Sequence, residues 1–480
     1  MGVQVIITAI VLYTCIITSY AQEGKRPNII VIMPADLGTG DLGFMGSKDI
    51  ETPAIDALAE NGMIFENGYA THNYSSPAAA GLLVGRHQAR FGFESAPDHA
   101  PFDPYQGIPV EEKLFPERLK EVGYTTGMVG KWQLGSHANF HPLNRGFDYF
   151  YGFLGGTHNY FPEDVRVGTN FLTVPMEENR RVGEFKDYLT YELARHAVKF
   201  IKQNKNNPFM LYLPFNAPHG PLQAPQNLLD KYSHVEDNQR RTYLAMVDAL
   251  DQAVGRVVSA LKETNNFENT LIFFVSNHGG PYPEAWCQDL TYASNAPYRR
   301  GKVALTEGGI KIPFVAHWPA KIKAGTKLDG LVSALDVAAT SIAVSGAAPH
   351  DALEGVNLMP YFEGKKKDSP HKALYWRMYE DDHLWAVRTE DYKYLHQPLP
   401  NVDLSFFDMK KDPYESNNLV GKYPEKQAEL AKLWNDWNAD NMTNYQLPYS
   451  QYKVIMKDFY KHLQDSVRKA AQEKKAYIVK

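Results

Sequence analysis

Residue types that could carry acid–base, nucleophilic or anion-binding chemistry recur in short glycine-punctuated loops and at one helix start. They are Asp36, Ser75, Lys131, His219, Asn277, His278, Arg299 and Lys302. Carboxylates and imidazoles can transfer protons, and a serine beside a base can act as a nucleophile. Lysine and arginine bind anionic groups through charge-assisted hydrogen bonds. A lone lysine or histidine is normally a surface or core residue, but several on successive loops predict one anion-binding pocket.

The segment from Asn73 to Arg86 predicts a helix whose first turn could present the nucleophile. Ser75 or Ser76 is a suitable N-cap, and Pro77 suits the first helical position. The N-terminus of a helix offers unpaired N–H groups and partial positive charge, which favour an anion. An ordinary capped helix explains the same pattern, so this motif alone does not assign a nucleophile.

Short apolar runs precede most of these loops and are typical of buried strands. They occupy positions 29–33, 126–129, 209–213, 271–275 and 313–317. A helix is predicted from Ile50 to Phe65, because Thr52-Pro53 forms an N-cap and first turn and the apolar residues follow helical spacing. Such alternation predicts an α/β fold with a large, mixed, mostly parallel sheet flanked by helices. Ligands bind at the carboxyl ends of such strands, where these loops lie.

From about position 370 the pattern changes. Short antiparallel strands are predicted at 373–376, 384–388 and 392–396, followed by a turn-rich stretch at 408–418 and by helices at 425–439 and 452–475. We therefore expect a large α/β domain over 26–368 and a smaller C-terminal α+β domain with a helical tail over 369–480.

The first 21 residues predict a signal peptide, because an apolar run from Val3 to Ile17 precedes the small-residue pattern Ser19-Tyr20-Ala21. We therefore expect an exported protein, periplasmic or secreted. Cys15 and Cys287 are the only cysteines in the sequence, which excludes a disulfide framework and a cysteine-based metal site. The 480 residues carry a formal net charge of -5, with 44% hydrophobic and 22% charged residues. This composition predicts a globular protein with neither nucleic acid nor membrane as partner.

The ordered motifs resemble the formylglycine-dependent sulfatases of the alkaline phosphatase superfamily, and most of all the bacterial polysaccharide sulfatases. The motifs are PNIIVIMPADLGTGDLG, SSPAAAGLLVGR, GKWQLG, NAPHGPLQAP, FFVSNHGG, RRGKVALTEGGIKIPF and FFDMKKDPYESNNLV. The resemblance covers nearly all of the chain after the signal peptide. It implies a large α/β domain with a small C-terminal α+β domain. It also implies a calcium-bound hydrated aldehyde, made from Cys or Ser, that attacks the sulfur of a sulfate ester.

Two positions of the implied metal site depart from the family pattern. The resemblance implies two adjacent metal-binding aspartates, and here Ala35 replaces the first while Asp36 remains. Asn277-His278 stands where the family has an Asp-Asn or Asp-His pair. Calcium takes about six to eight oxygen ligands, and carboxylates supply much of its affinity. We therefore predict a degenerate site without metal and no cofactor, with calcium only if the site survives.

The implied nucleophile also lacks its support. The modified residue of the family falls on Ser75, but Ala79 stands where the maturation motif has an arginine, and Gln133 replaces a histidine. We therefore expect Ser75 to stay serine. The residues that match the family are Asp36, Lys131, His219, Arg299 and Lys302.

Three functions remain open, each with a sulfated carbohydrate as partner. The preferred one is a metal-independent hydrolase that cleaves a glycosidic bond and uses Asp36, Ser75, His219 and His278, with Glu284 and Asp289 as further acidic candidates. The alternative is a non-catalytic protein that binds a sulfated or uronic-acid glycan. Both would bind substrate through Lys131, Gln133, Asn277, Arg299 and Lys302. A sulfatase with residual activity on sulfate esters is the third, which the loss of carboxylates disfavours.

Overall fold

The computed structural model describes residues 26–97, 99–165, 175–283, 292–378, 384–399, 402–446 and 449–473. The predicted signal peptide, Glu284 and Asp289 lie outside these ranges. Among the described residues, no helix combines the length and the apolar character that crossing a bilayer requires.

The described part of the chain contains one sheet of ten strands and a second sheet of four. The large sheet comprises β1 (Asn28–Met33), β2 (Met63–Tyr69), β3 (Thr125–Lys131), β4 (Tyr149–Phe153), β5 (Glu177–Glu178), β6 (Arg181–Val182), β7 (Phe209–Pro214), β8 (Thr270–Val275), β9 (Phe314–His317) and β10 (Thr326–Ser333). Their order across the sheet is β10-β2-β9-β8-β1-β7-β3-β4-β5-β6. Strand β9 runs antiparallel to both neighbours, as do β5 and β6 at one edge, and the remaining pairs are parallel.

The described ranges contain helices on both faces of the large sheet and on the smaller sheet. They are α1 (Pro53–Glu60), α2 (Ser75–Val84), α3 (Phe115–Glu121), α4 (Leu189–Gln203), α5 (Gln226–Lys231), α6 (Asn238–Glu263), α7 (Glu307–Ile310), α8 (Leu335–Ser345), α9 (Met359–Phe362), α10 (Pro424–Asn438) and α11 (Tyr449–Gln472). Single 3-10 turns span Thr39–Asp41, Gly43–Met45, Gln88–Phe91, Ala138–Phe140, Pro142–Asn144, Pro162–Asp164 and Phe267–Asn269.

Strand β1 shows why both faces are covered. All six of its residues are buried, and alternate side chains point to opposite faces. Ile30 and Ile32 belong to the core packed under α1, α4 and α6, whereas Ile29 and Val31 belong to the core packed under α2, α3 and α8. A strand buried on both sides has no polar alternation, which is the pattern that the sequence displays. The predicted fold class, a large mixed and mostly parallel sheet flanked by helices, is confirmed.

The C-terminal sheet is antiparallel, in the order β11 (Ala373–Arg377), β12 (Trp385–Thr389), β13 (Tyr392–Leu399) and β14 (Val402–Asp408). Helix α10 packs on it through Trp434, whose ring stacks on Trp385 at 5.2 Å between centroids. Arg377 ties this sheet to the large domain, because its Nη2 lies 2.6 Å from Oε2 of buried Glu94. The small sheet and its helix are the predicted α+β part, while the domain boundary at 368 stays a prediction.

One local prediction was wrong, and one strand of the small sheet was not predicted. The predicted helix from Ile50 to Phe65 ends at Glu60, because Asn61-Gly62 interrupts it and Met63 begins strand β2. Strand β2 pairs with β10 and β9, which are distant in sequence, so local spacing could not reveal it. Strand β14 was likewise missed, since its pairing with β13 is visible only in three dimensions.

Candidate active site

The parallel strands β1, β3, β7 and β8 deliver their following loops to one edge of the sheet. Asp36 follows β1, Lys131 ends β3, His219 follows β7 and His278 follows β8. Ser75 enters the same region as the first residue of α2, and Lys302 reaches it from the segment before α7. We call this group the Asp36 pocket, defined by Asp36, Ser75, Lys131, His219, His278 and Lys302. It brings together all four predicted catalytic residues.

Asp36 lies at the centre, and its side chain is 4% exposed. The Lys302 ammonium donates to both of its oxygens, at 2.9 Å to Oδ1 and 3.0 Å to Oδ2. The backbone N–H of Asp36 donates to Oδ1 of Asn277 at 3.2 Å, and this bond fixes the loop that follows β1. Burial opposes ionisation, but His219, Lys302 and His278 outweigh that effect and hold the pKa of Asp36 well below its usual range. Asp36 is therefore a permanent carboxylate, neutralised by Lys302.

His278 is held as a hydrogen-bond acceptor toward Ser75. Its Nδ1 lies 2.8 Å from the carbonyl oxygen of Gly279, which can only accept, so Nδ1 carries the proton. The ring Nε2 lies 2.9 Å from Oγ of Ser75 and 3.5 Å from Oδ1 of Asp36. Burial lowers the pKa of His278 to about 3, so the neutral ring accepts the hydroxyl proton of Ser75. This is the geometry of a serine with an adjacent base.

His219 faces Asp36 from the opposite loop in a similar way. Its Nδ1 donates to the carbonyl oxygen of Gly220 at 2.8 Å, and its Nε2 lies 3.8 Å from Oδ2 of Asp36. Burial lowers the pKa of His219 to about 3. The hydroxyl of Tyr160 donates to the carbonyl oxygen of His219 at 2.7 Å and anchors the loop. Two neutral imidazoles therefore present acceptor nitrogens to the pocket.

Lys131 lies beside a small internal cavity of about 20 Å³. Its side chain is buried, and among the described residues its Nζ has no hydrogen-bond partner. Burial lowers the pKa of Lys131 to about 7, with the charge of Lys302 acting in the same direction. The cavity is lined by Met33, Ala35, Ser75, Ser76, Ala79, Lys131, Trp132, Gln133, Pro214, Phe215 and Asn277. The amine without a partner therefore lies next to a space large enough for about one water molecule.

Among the described residues, eight residues other than glycine have left-handed backbones, and four of them lie in loops beside this pocket. These four are Asp36 (φ 64°), Gln133 (φ 52°), Arg300 (φ 60°) and Val303 (φ 68°). Such conformations cost about 1–3 kcal/mol each and cluster at functional sites. Buried Asn73 holds the last of them, because its Nδ2 donates to the carbonyl oxygen of Val303 at 2.7 Å.

Two positioning residues escaped the sequence analysis. Asn73 fixes the loop that carries Lys302, and the ring of Tyr74 lies 5.7 Å from Nζ of Lys302. Both residues lie just before Ser75, where α2 begins. The sequence did not indicate a positioning role for them, since an Asn-Tyr pair at that place is compatible with any capped turn.

The donor set does not fit calcium. Asp36 is a single carboxylate whose two oxygens already accept from Lys302, and Oδ1 of Asn277 accepts from the backbone of Asp36. Ala35 supplies no ligand, and imidazole nitrogen such as that of His278 suits softer metals. Across the described ranges, no three histidine, cysteine, aspartate or glutamate side chains form a group that could hold a metal ion. Calcium needs about six to eight oxygens, which these residues do not offer.

Arg299 is directed elsewhere. Its side chain is exposed, and Nη1 donates to the carbonyl oxygen of Glu415 at 2.5 Å, toward the C-terminal sheet. The expectation that Arg299 reaches the same pocket as Lys302 is therefore not met by this geometry, and its role in substrate binding stays a prediction. Gln133 and Asn277 both line the cavity, and Asn277 also accepts from the backbone N–H of Asp36. Glu284 and Asp289 lie outside the described residues.

Comparison with known proteins agrees with this architecture. The sulfatase family model matches residues 27–347, and a model for the N-sulphoglucosamine sulphohydrolase C-terminal region matches residues 301–441. N-acetylgalactosamine-6-sulfatase of Canis lupus familiaris is 35% identical over 396 residues, which cover 78% of this chain and 72% of that protein. The uncharacterized sulfatase YdeN of Escherichia coli (strain K12) is 30% identical over 536 residues, covering 95% and 89%.

Among solved structures, Ps i-CgsB in complex with k-i-k-neocarrahexaose superposes with a TM-score of 0.82 at 34% identity, covering 90% of this chain and 96% of that one. The PsFucS1 sulfatase from Pseudoalteromonas sp. gives a TM-score of 0.75 at 25% identity, covering 90% and 93%. The resemblance drawn from the motifs is thus confirmed over nearly the whole described chain. The chain belongs to the sulfatase family.

Proposed function

We propose that this protein is a calcium-independent hydrolase that cleaves a glycosidic bond in a sulfated glycan by general acid–base catalysis. The observation that carries the proposal is that one buried pocket holds two groups suited to acid–base catalysis. They are the His278 imidazole, which accepts from Ser75, and Lys131, whose Nζ has no hydrogen-bond partner among the described residues. His278 can accept a proton through Ser75, and Lys131, whose pKa burial lowers to about 7, can donate one near neutral pH.

The substrate class is inferred from relatives. One is an N-acetylgalactosamine-6-sulfatase, and one solved structure holds a neocarrahexaose. Lys131 and Lys302 give this pocket two cations against the single carboxylate of Asp36, which suits a ligand carrying one sulfate. The predicted signal peptide agrees with a polysaccharide met outside the cytoplasm.

The proposed step is balanced within the pocket. A water molecule attacks the anomeric carbon and gives its proton to Ser75, which passes its own proton to Nε2 of His278. Lys131 donates a proton to the departing glycosidic oxygen as the bond between carbon and oxygen breaks. The carboxylate of Asp36 stabilises the positive charge that develops on the sugar and on His278. Proton return from His278 to Lys131 through solvent completes the cycle.

The test uses the purified full chain with a panel of sulfated algal and animal glycans, with and without a chelator. We expect new reducing ends that persist in the chelator. His278→Gln and Lys131→Met should each lower the turnover about 100-fold or more, whereas Lys367→Met, at an exposed position, should leave it unchanged. Sulfate release that a chelator abolishes would overturn the proposal in favour of calcium chemistry.

One observation favours a second function, namely binding without catalysis. A histidine whose pKa burial lowers to about 3 is a weak base at neutral pH. If glycans bind to the chain and neither reducing ends nor sulfate appear, the protein is a glycan-binding member of the family. Lys131→Met and Lys302→Met should then weaken that binding, because both remove charge-assisted hydrogen bonds to the anionic group.

A further inference from the structure

A second cleft lies between the edge of the large sheet and the C-terminal sheet. Its volume is about 530 Å³, within the range of about 300–1,000 Å³ that is usual for ligand sites. Strands β2 and β10 form one wall, and residues that follow β12 and β14 form the other. Its lining and that of the cavity beside Lys131 have no residue in common. We call it the inter-sheet cleft.

Arg388 of β12 lines the inter-sheet cleft with an incomplete set of hydrogen bonds. The residue is 4% exposed, and among the described residues its Nε has no hydrogen-bond partner. The nearest carboxylate oxygen, Oε1 of Glu307, is 4.0 Å away, too far for a hydrogen bond. A buried guanidinium N–H without an acceptor is costly, so a ligand oxygen at this point would stabilise the protein.

The charges of the cleft are balanced. Among the described residues its lining has four carboxylates and four cations, namely Glu66, Glu307, Asp329, Glu390, Lys311, Lys327, Arg388 and Lys410. Behind this lining Lys393 lies between two buried carboxylates, 2.9 Å from Oε1 of Glu307 and 2.7 Å from Oε1 of Glu415. An anionic group would therefore bind through the open hydrogen-bonding position of Arg388 and not through a net positive charge.

Two tyrosines make the remainder of the site suitable for a sugar. The rings of Tyr298 and Tyr414 lie 6.0 Å apart between centroids, and Tyr414 is 45% exposed. Nζ of Lys311 lies 4.8 Å from the Tyr298 ring and donates to Oδ1 of Asn67 at 2.8 Å. An exposed aromatic face packs against the C–H face of a sugar ring, while the polar groups beside it bind hydroxyls.

We propose that the inter-sheet cleft is a second glycan site, which binds one sugar unit carrying a sulfate or carboxylate. The anionic group pairs with Arg388 and Lys311, and the sugar ring packs on Tyr414. This site is separate from the hydrolytic one, so it goes beyond the function proposed above. A site of this kind would hold a polysaccharide on the protein between cleavage events.

Titration calorimetry of the full chain with N-acetylgalactosamine 6-sulfate tests this proposal. Wild type should bind two molecules per chain if both sites accept the probe. The Lys131→Met variant, whose Asp36 pocket is impaired, should retain one. In that background Tyr414→Ala should weaken the remaining site about fivefold and Arg388→Met at least about tenfold. Unsulfated N-acetylgalactosamine should bind far more weakly than the sulfated sugar.

Tyr423→Ala is the matched control, because Tyr423 is 43% exposed and does not line the cleft. Since Arg388 is buried, thermal melting must show that its variant is folded, and exposed Tyr414 supplies a test that does not depend on it. Loss of all binding in Lys131→Met alone would overturn the second site without touching the hydrolase. Equal affinity in Tyr414→Ala and Tyr423→Ala would also overturn it. Tighter binding of sulfated oligosaccharides than of the monosaccharide would identify the occupant as part of a polymer.

Discussion

The Lys302→Met variant should be strongly destabilised, because it removes the cation that pairs with buried Asp36. Methionine keeps the apolar stem of Lys302 but removes the hydrogen bonds of 2.9 and 3.0 Å to the two carboxylate oxygens. At an effective dielectric constant of about 20, two unit charges at this distance attract by about 5–6 kcal/mol. Breaking a buried ion pair by removing one partner costs about 3–5 kcal/mol.

We expect a loss near the lower end of that range. The Nε2 atoms of His278 and His219 lie 3.5 and 3.8 Å from the Asp36 oxygens, so either ring can take up a proton and replace the lost cation. The loss should therefore shrink as the pH is lowered from about 7 to about 5. An exposed pair serves as the matched control: Lys327 and Glu66 meet at 2.8 Å, with side chains 61% and 42% exposed. Lys327→Met should cost about 0–1 kcal/mol.

Urea unfolding followed by circular dichroism measures the free energies of unfolding of wild type, Lys302→Met, Asp36→Asn and the double variant. Because the two residues contact each other, their effects should be non-additive, with a coupling energy of about 2 kcal/mol or more. Additivity within about 0.5 kcal/mol would refute the reasoning. A loss in Lys302→Met no larger than that in Lys327→Met would refute it as well.

Three further predictions concern the same pocket. Burial lowers the pKa of His278 from 6.5 to about 3, so the neutral ring contributes stability that is fully present above pH 6.5 and is lost as the pH falls toward 3; each pH unit in that window costs about 1.4 kcal/mol. His278→Gln should flatten the dependence of unfolding free energy on pH between about 4 and 6, and a profile parallel to wild type would contradict this assignment. Peptide mass spectrometry should find Ser75 as unmodified serine and elemental analysis no stoichiometric calcium, whereas an aldehyde mass would show that the maturation chemistry survives. If Lys131 is the proton donor, release of reducing ends should decline above about pH 7, the pKa to which burial lowers this group; the same decline in the residual activity of Lys131→Met would remove Lys131 from that role.

Much of the site could be predicted from order along the chain. Apolar runs such as Ile29–Met33 and Leu271–Val275 are long enough to be buried strands, and parallel strands present their carboxyl ends at one edge of a sheet. The loops that carry Asp36, Lys131, His219 and His278 therefore had to meet, whatever their detailed conformation. That position 35 offers no side-chain ligand for calcium was equally visible, since alanine has no oxygen on its side chain.

The pairing of individual atoms required the folded chain. Arg299 and Lys302 are three residues apart, yet Lys302 contacts Asp36 whereas Arg299 contacts Glu415. Arg300 and Val303 beside them have left-handed backbones, which their residue types do not predict. The contact of 2.9 Å between Ser75 and His278 likewise depends on how α2 packs beside the loop after β8.

The inter-sheet cleft is the clearest case of a feature absent from local sequence. Tyr298, Lys311 and Arg388 come from segments separated by many residues, and each alone has the pattern of an ordinary loop or strand residue. The strand sequences specify hydrophobic faces and thereby a sheet, because burial of alternate side chains is a local property. The space between two sheets depends on how the sheets pack against each other, which involves long-range contacts such as that of Arg377 with Glu94.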